Sequence, residues 1–188
     1  MTLSRMLALA GVVVATTVAS TAAHATTFMK TTLEERVDFA DIIVRGTVAE
    51  VWTEQDDSGT IWTRAQLEVT DVLKGDATTE TLIVDQLGGS WAGMHMDMPG
   101  AARFSPGENV LVMVQDLDSG YRVPISMSLG KYSVVLDPRL RTDIVVQFAV
   151  PHHRVYDHRF IPLPKEDAVV TVDAIGARIR AHAAKGVN

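Results

Sequence analysis

The chain has no cysteine among its 188 residues. This excludes disulfides, thiolate metal centres, cysteine nucleophiles and lipid attachment through an N-terminal cysteine. Basic residues are outnumbered, 17 Lys and Arg against 23 Asp and Glu, for a net charge of −6. Outside the last segment the densest basic group is Arg139-Leu140-Arg141. That balance argues against nucleic acid and anionic membrane as partners, since both need concentrated positive charge. There is no glycine-rich phosphate loop closing on Lys-Ser or Lys-Thr. After the first twenty residues no second long apolar run follows, so the remainder is expected to need no membrane.

What is present begins with an export signal. Arg5 precedes an uncharged apolar stretch from Met6 to Ala19, and Ala23-His24-Ala25 places small residues where a signal peptidase reads them. A retained anchor is the alternative, but the strongly apolar part is shorter than the roughly 20 residues a span requires. The expectation is therefore a signal peptide over residues 1–25, one domain over 26–188, and a periplasmic or secreted location. Removing the leader takes away one charged residue, Arg5, and leaves 163 residues with a net charge of −7. That length supports a single core, which must hold without disulfides.

Hydrophobic periodicity assigns the elements. Thr32 and Glu35 form a capping-box pair opening a short helix through about Ala40. From Asp41 the period becomes two: Ile42, Val44, Gly46 and Val48 alternate with Ile43, Arg45, Thr47 and Ala49, and the disturbed phase at Val51-Trp52 predicts a bulge near Glu50. Asp56-Asp57-Ser58-Gly59 is a turn. On the return strand, Ile61, Thr63, Ala65, Leu67 and Val69 share one face; Trp62, Arg64, Gln66, Glu68 and Thr70 share the other. Thr81 to Leu87 makes a third strand. Residues 88–108, rich in Gly and Pro, read as a long irregular loop of the kind that carries function. Val110 to Val114 reads as a strand buried on both faces. Tyr121 to Ile125, Lys131 to Leu136 and Ile144 to Val150 complete seven strands. Thr171 caps a final helix over about 172–184, with Val172, Ile175, Ile179 and His182 as its packing stripe. The fold expected is all-β with short terminal helices, a small OB-like barrel, closed or partly open; a β-sandwich is the alternative.

Three groups of residues could carry chemistry. Met94, His95, Met96 and Met98 offer soft thioether and imidazole donors suited to copper; the plain alternative is loose methionine packing over the barrel mouth. His152, His153 and His158, with Asp157, offer a zinc or copper set, although no spacing matches a known zinc helix and solvated loop positions after Pro151 are the plainer reading of His153 and His158. Trp62, Trp91 and Phe104 are the candidate partner contacts: an outward Trp62 suits a contact surface, unless the final helix or the long loop covers it. Gly88-Gly89-Ser90-Trp91-Ala92 is a poor nucleophile elbow, because Ala92 replaces a glycine and no helix pattern follows.

Four stretches carry a resemblance. They are Ala40-Asp41-Ile42-Ile43-Val44-Arg45-Gly46-Thr47-Val48, Val69-Thr70-Asp71-Val72-Leu73-Lys74-Gly75, Phe104-Ser105-Pro106-Gly107-Glu108-Asn109-Val110-Leu111-Val112 and Gly130-Lys131-Tyr132. Together, over roughly residues 35–136, they resemble a group of exported bacterial proteins that accompany secreted metalloproteases. They also loosely resemble the OB-type barrel of tissue inhibitors of metalloproteinases and netrin modules. The inhibitors chelate the protease zinc through an N-terminal cysteine. This chain has none, and its processed terminus would be Thr26. The resemblance implies a fold and an exported role, and leaves inhibition as an analogy. The leading expectation is an exported, non-enzymatic binding module without a cofactor, a partner or inhibitor-like protein of a secreted metalloprotease. A periplasmic copper- or zinc-binding protein is the alternative, and a small hydrolase stands third.

Overall fold

The computed structural model describes residues 31–76, 80–147 and 169–186 in full, and the backbone of 28–29 and 155–156. The expected leader, residues 1–25, and His152, His153 and His158 lie outside the described residues.

In chain order the elements are β1 (Phe28–Met29), α1 (Leu33–Phe39), β2 (Ile42–Gln55), β3 (Ile61–Lys74), β4 (Thr81–Leu87), β5 (Gly89–Trp91), β6 (Met94–Met96), β7 (Asn109–Asp116) and β8 (Arg122–Pro124). A 3-10 turn at Met127–Gly130 leads into β9 (Lys131–Asp137), β10 (Thr142–Val146), β11 (Val155–Tyr156), β12 (Val170–Thr171) and α2 (Val172–Ala183). The fold is all-β with two helices. Its main sheet has eight antiparallel strands along the path β12-β10-β9-β7-β2-β3-β4, with β8 beside the end of β7. The ladder does not return on itself, so the barrel is partly open.

The β2–β3 hairpin is the frame. Its two 14-residue strands pair from Ile43↔Lys74 to Gln55↔Ile61 with three register shifts. One shift falls between Val48 and Glu50, where the sequence predicts a bulge. Bulges bend a strand and increase its twist, which curls so long a hairpin into a barrel wall. Gly46 is required at this bend: an added Cβ would collide with the carbonyl oxygen of Glu68 on β3.

The core has two layers because β2 and β7 are buried on both faces. Ile42, Val44, Val48, Ala65, Leu67, Val84 and the valines at 110, 112 and 114 fill the barrel side. Ile43, Leu73, Leu111 and Met113 face the helices, where Val37 of α1 and Val172, Ile175 and Ile179 of α2 meet them. Each fully buried aliphatic side chain contributes about 1.5–3 kcal/mol, and Ile179 is wholly buried. His182, at the end of the expected stripe, instead meets the Asp38 carboxylate of α1 through Nε2 at 2.7 Å. Both caps form: Thr32 and Glu35 make the reciprocal capping box, and the Thr171 hydroxyl accepts from the Ala174 amide.

Residues 88–108 differ from the expected irregular loop. They contain the β5–β6 hairpin, paired from Gly89↔Met96 to Trp91↔Met94. Three-residue strands interrupted by glycines are too short for a period-two pattern to reveal.

Candidate functional site

The β5–β6 hairpin is anchored by its first residues. The Gly88 amide donates to the Ile61 carbonyl at 2.8 Å, and the Thr63 hydroxyl donates to the Gly88 carbonyl at 2.7 Å. Gly88 and Gly89 adopt φ of +98° and +140°, and a Cβ on Gly89 would run into the side chains of Thr53 and Thr63. Only glycine combines that conformation with so close an approach. The chain therefore doubles back across the outer ends of β2 and β3, on the Thr53 and Thr63 face.

At the far end of this hairpin Trp91 and Met94 pair across the strands, 41% and 47% exposed. Alternation along β6 sets Met94 and Met96 on one side and His95 on the other. There His95 Nδ1 lies 2.9 Å from the Ser90 hydroxyl, its cross-strand partner. Met98 lies beyond the end of β6, with its Cβ near the position a Gly88 side chain would take. The structure thus joins Trp91 to Met94 and Ser90 to His95, and does not gather the four proposed copper donors on one face. Among the described residues no group of three or more His, Asp or Glu side chains is placed to hold a metal. Phe104 is half-buried against the barrel core, with the Lys131 ammonium 5.0 Å from its ring centroid. Lys131 is itself buried, 2.6 Å from Glu108 Oε1 and also bonded to the Arg103 carbonyl.

Trp62 has a different setting from either expected cover. It stacks on Tyr121 of the β7–β8 turn, and its indole N–H donates to Asp56 Oδ2 at 2.9 Å. Asp56 also accepts from the Tyr121 hydroxyl at 3.2 Å and from the Ser58 hydroxyl at 2.6 Å. The Ser58 bond first, and the Trp62 bond next, hold the Asp56 carboxyl well below the usual carboxylate range. Desolvation, reinforced by Asp56, pushes the Tyr121 phenol up. On the same face, Trp52 pairs with Arg64 and Glu54 pairs with Trp62 across the β2–β3 ladder. The Trp52 N–H donates to Glu54 Oε2 at 3.2 Å, and Arg64 Nη2 lies 3.2 Å from Glu54 Oε1.

Beneath this group sits Asp85 of β4, 5% exposed. Its Oδ2 accepts from the Arg122 amide at 2.7 Å, so one carboxylate bridges β4 to β8 where no ladder runs. Its Oδ1 lies 3.0 Å from Arg64 Nε, but the two are not aligned as a hydrogen bond and neither atom has a hydrogen-bond partner. Burial pushes the Asp85 carboxyl above its ordinary range, against the opposing pull of the Arg122 amide and the Arg64 charge. Hairpin register alone could have revealed the Trp52, Glu54, Trp62 and Arg64 quartet. Asp85 joins it through the β3–β4 ladder, where it lies opposite Arg64, and Tyr121 joins it only because the β7–β8 turn folds against Trp62, which no local pattern reports.

The residues that carry the family resemblance sit at joints of the fold. Lys74 donates to the carbonyls of Val37 and Ala40 at 2.7 and 2.6 Å, closing the C-terminal end of α1. Asp41 accepts from the Asp116 amide at 2.9 Å. The Tyr132 hydroxyl accepts from the buried Arg36 at 2.7 Å. A concavity between α2 and the sheet, bordered by Leu73, Leu111 and Gly176, holds about 40 Å³, far below the roughly 300–1,000 Å³ of a small-molecule site. No family model and no curated protein matches this chain.

Proposed function

We propose that this chain is an exported, non-enzymatic binding module that docks a protein partner, a secreted metalloprotease, through the rim formed by the β5–β6 hairpin. The observation that carries this reading is the exposed Trp91–Met94 pair at the end of a hairpin fixed by Gly88, Gly89 and Thr63. Large apolar side chains on a pre-formed support bind without the cost of ordering a loop, and tryptophan is the residue type most enriched at interface centres. The acidic net charge of −6 favours a protein over a polyanion as the partner.

Biolayer interferometry of the purified protein against secreted zinc metalloproteases, with peptide hydrolysis followed in parallel, tests the reading. Trp91→Ala and Met94→Ala are each expected to weaken binding by about tenfold or more while leaving the unfolding midpoint unchanged. Binding that ignores both substitutions, or no protease bound at all, removes the proposal.

A further inference from the structure

The β2–β3 ladder has a second face, opposite the one that carries the β5–β6 hairpin. Alternation puts Thr53 and Thr63 under the hairpin and Trp52, Glu54, Trp62 and Arg64 on the other side. We infer that this second face, built from Trp52, Glu54, Trp62, Arg64 and Tyr121 over Asp85, is a binding platform for an uncharged oligosaccharide.

The quartet is a checkerboard. Trp52 lies opposite Arg64, and Glu54 lies opposite Trp62, so the indoles occupy one diagonal and the ion pair the other. Each ring is pinned at its N–H, Trp52 by Glu54 and Trp62 by Asp56. Tyr121 braces Trp62 from one side. What these rings still offer is flat, electron-rich surface and edge, which attracts the polarised C–H groups of a sugar ring. Between them Arg64 and Glu54 remain part-exposed at 27% and 37%. One is a planar donor and the other a planar acceptor. A hydroxyl both donates and accepts, so sugar hydroxyls can satisfy both at once.

Charge selects within that class. Glu54, Asp56 and Asp85 outnumber Arg64 here, and Arg122 is already paired with Asp116. A polyanion would meet net repulsion. Asp85 supplies an independent pointer. Its Oδ1, at 6% side-chain exposure, lies 3.0 Å from Nε of Arg64, its partner across the β3–β4 ladder, without a hydrogen bond between the two atoms. Buried carboxylates with a specific charge partner cluster at functional sites. Here the carboxylate fixes the guanidinium from the neighbouring strand at Nε, while Nη2 reaches toward Glu54.

The test is a titration of the full chain with cellohexaose, chitohexaose and maltohexaose, followed by tryptophan fluorescence and calorimetry, with a heparin hexasaccharide as the anionic probe. At least one neutral hexaose is expected to bind and to shift the tryptophan emission, with heparin inert. Trp52→Ala and the nearly isosteric Glu54→Gln should each weaken that binding about tenfold, with near-UV circular dichroism confirming the fold. Trp91→Ala, on the opposite face, should leave it unchanged. The inference is overturned if no neutral hexaose binds at millimolar concentration, or if heparin alone binds. It is equally overturned if Trp91→Ala abolishes the signal and Trp52→Ala does not, or if the platform variants lose protease binding while sugar binding persists.

Discussion

Trp62 and Tyr121 stack with ring centroids 4.0 Å apart and planes inclined by 15°, joining the return strand of the first hairpin to the turn that follows β7, four strands later. The contact makes the tip of the β2–β3 hairpin answerable to the β7–β8 turn. Tyr121→Ala is expected to collapse the near-UV circular dichroism contribution of Trp62 and to shift tryptophan emission to the red. Tyr121→Phe keeps the stack and loses only the bond to Asp56, so it should preserve most of the signal. Equal loss in both variants would mean that the hydroxyl, not the ring, holds this joint.

Asp56 and Asp85 should give opposite pH signatures. Asp56 is held below its ordinary value, so its ionised form stabilises the fold above the unfolded value, and that stabilisation fades as pH falls toward the folded one. Asp56→Asn should therefore lose stability near neutral pH and converge on the parent protein in strong acid. Asp85 is raised. Its contribution is fully present below the unfolded value and is lost as pH rises through the folded one. Relative to the parent, Asp85→Asn should thus fare better as pH rises above the unfolded carboxyl value. Urea unfolding at several pH values checks both, and curves of the same slope would contradict the assignment.

Lys74 closes α1 by donating to two of its terminal carbonyls. Lys74→Met keeps most of the aliphatic stem and removes the donor, leaving those part-buried carbonyls unmet. A loss of about 1–3 kcal/mol in denaturant unfolding is expected. A loss below a few tenths would show that solvent replaces the ammonium.

Gly46 is tested by the smallest possible addition. Gly46→Ala places a methyl against the Glu68 carbonyl on a neighbouring strand, and backbone on both sides leaves little room to yield. Destabilisation of about 1–3 kcal/mol or more is expected. Gly107→Ala makes the informative contrast, because an added Cβ there meets nothing within 4 Å and only its φ of +81° resists.

The leader assigned to residues 1–25 has a direct check. Mass spectrometry of protein recovered from an exporting host should give a chain beginning at Thr26. An intact Met1 on cytoplasmic material would remove the export half of the proposed function.

Legibility in the sequence followed the range of the forces involved. Ile61 to Val69 displayed its two faces because period-two burial is local, and Val110 to Val114 displayed none because helices cover one side and the barrel the other. The disturbed phase at Val51-Trp52 located a real register shift. The β5–β6 hairpin was hidden by its brevity. Alternation sets Trp62 on the face it shares with Arg64, while the ring stacked on it is Tyr121, from a distant turn. Lys74 donates to carbonyls 34 and 37 residues earlier in the chain, a partnership that its neighbours in sequence do not disclose. Contacts between elements far apart in the chain, such as Trp62 with Tyr121, join residues with no sequence relation, and spacing cannot announce them.

The placement of β2 between β3 and β7 also has a consequence for biogenesis. Pairing with β3 is complete once Lys74 has followed the turn, whereas Ile42–Thr47 must wait for Asn109–Val114 before its other edge is covered. During synthesis, that interval leaves an aliphatic strand edge open to the wrong neighbour. A holding chaperone would find its most adhesive stretch there, and the danger ends when β7 emerges.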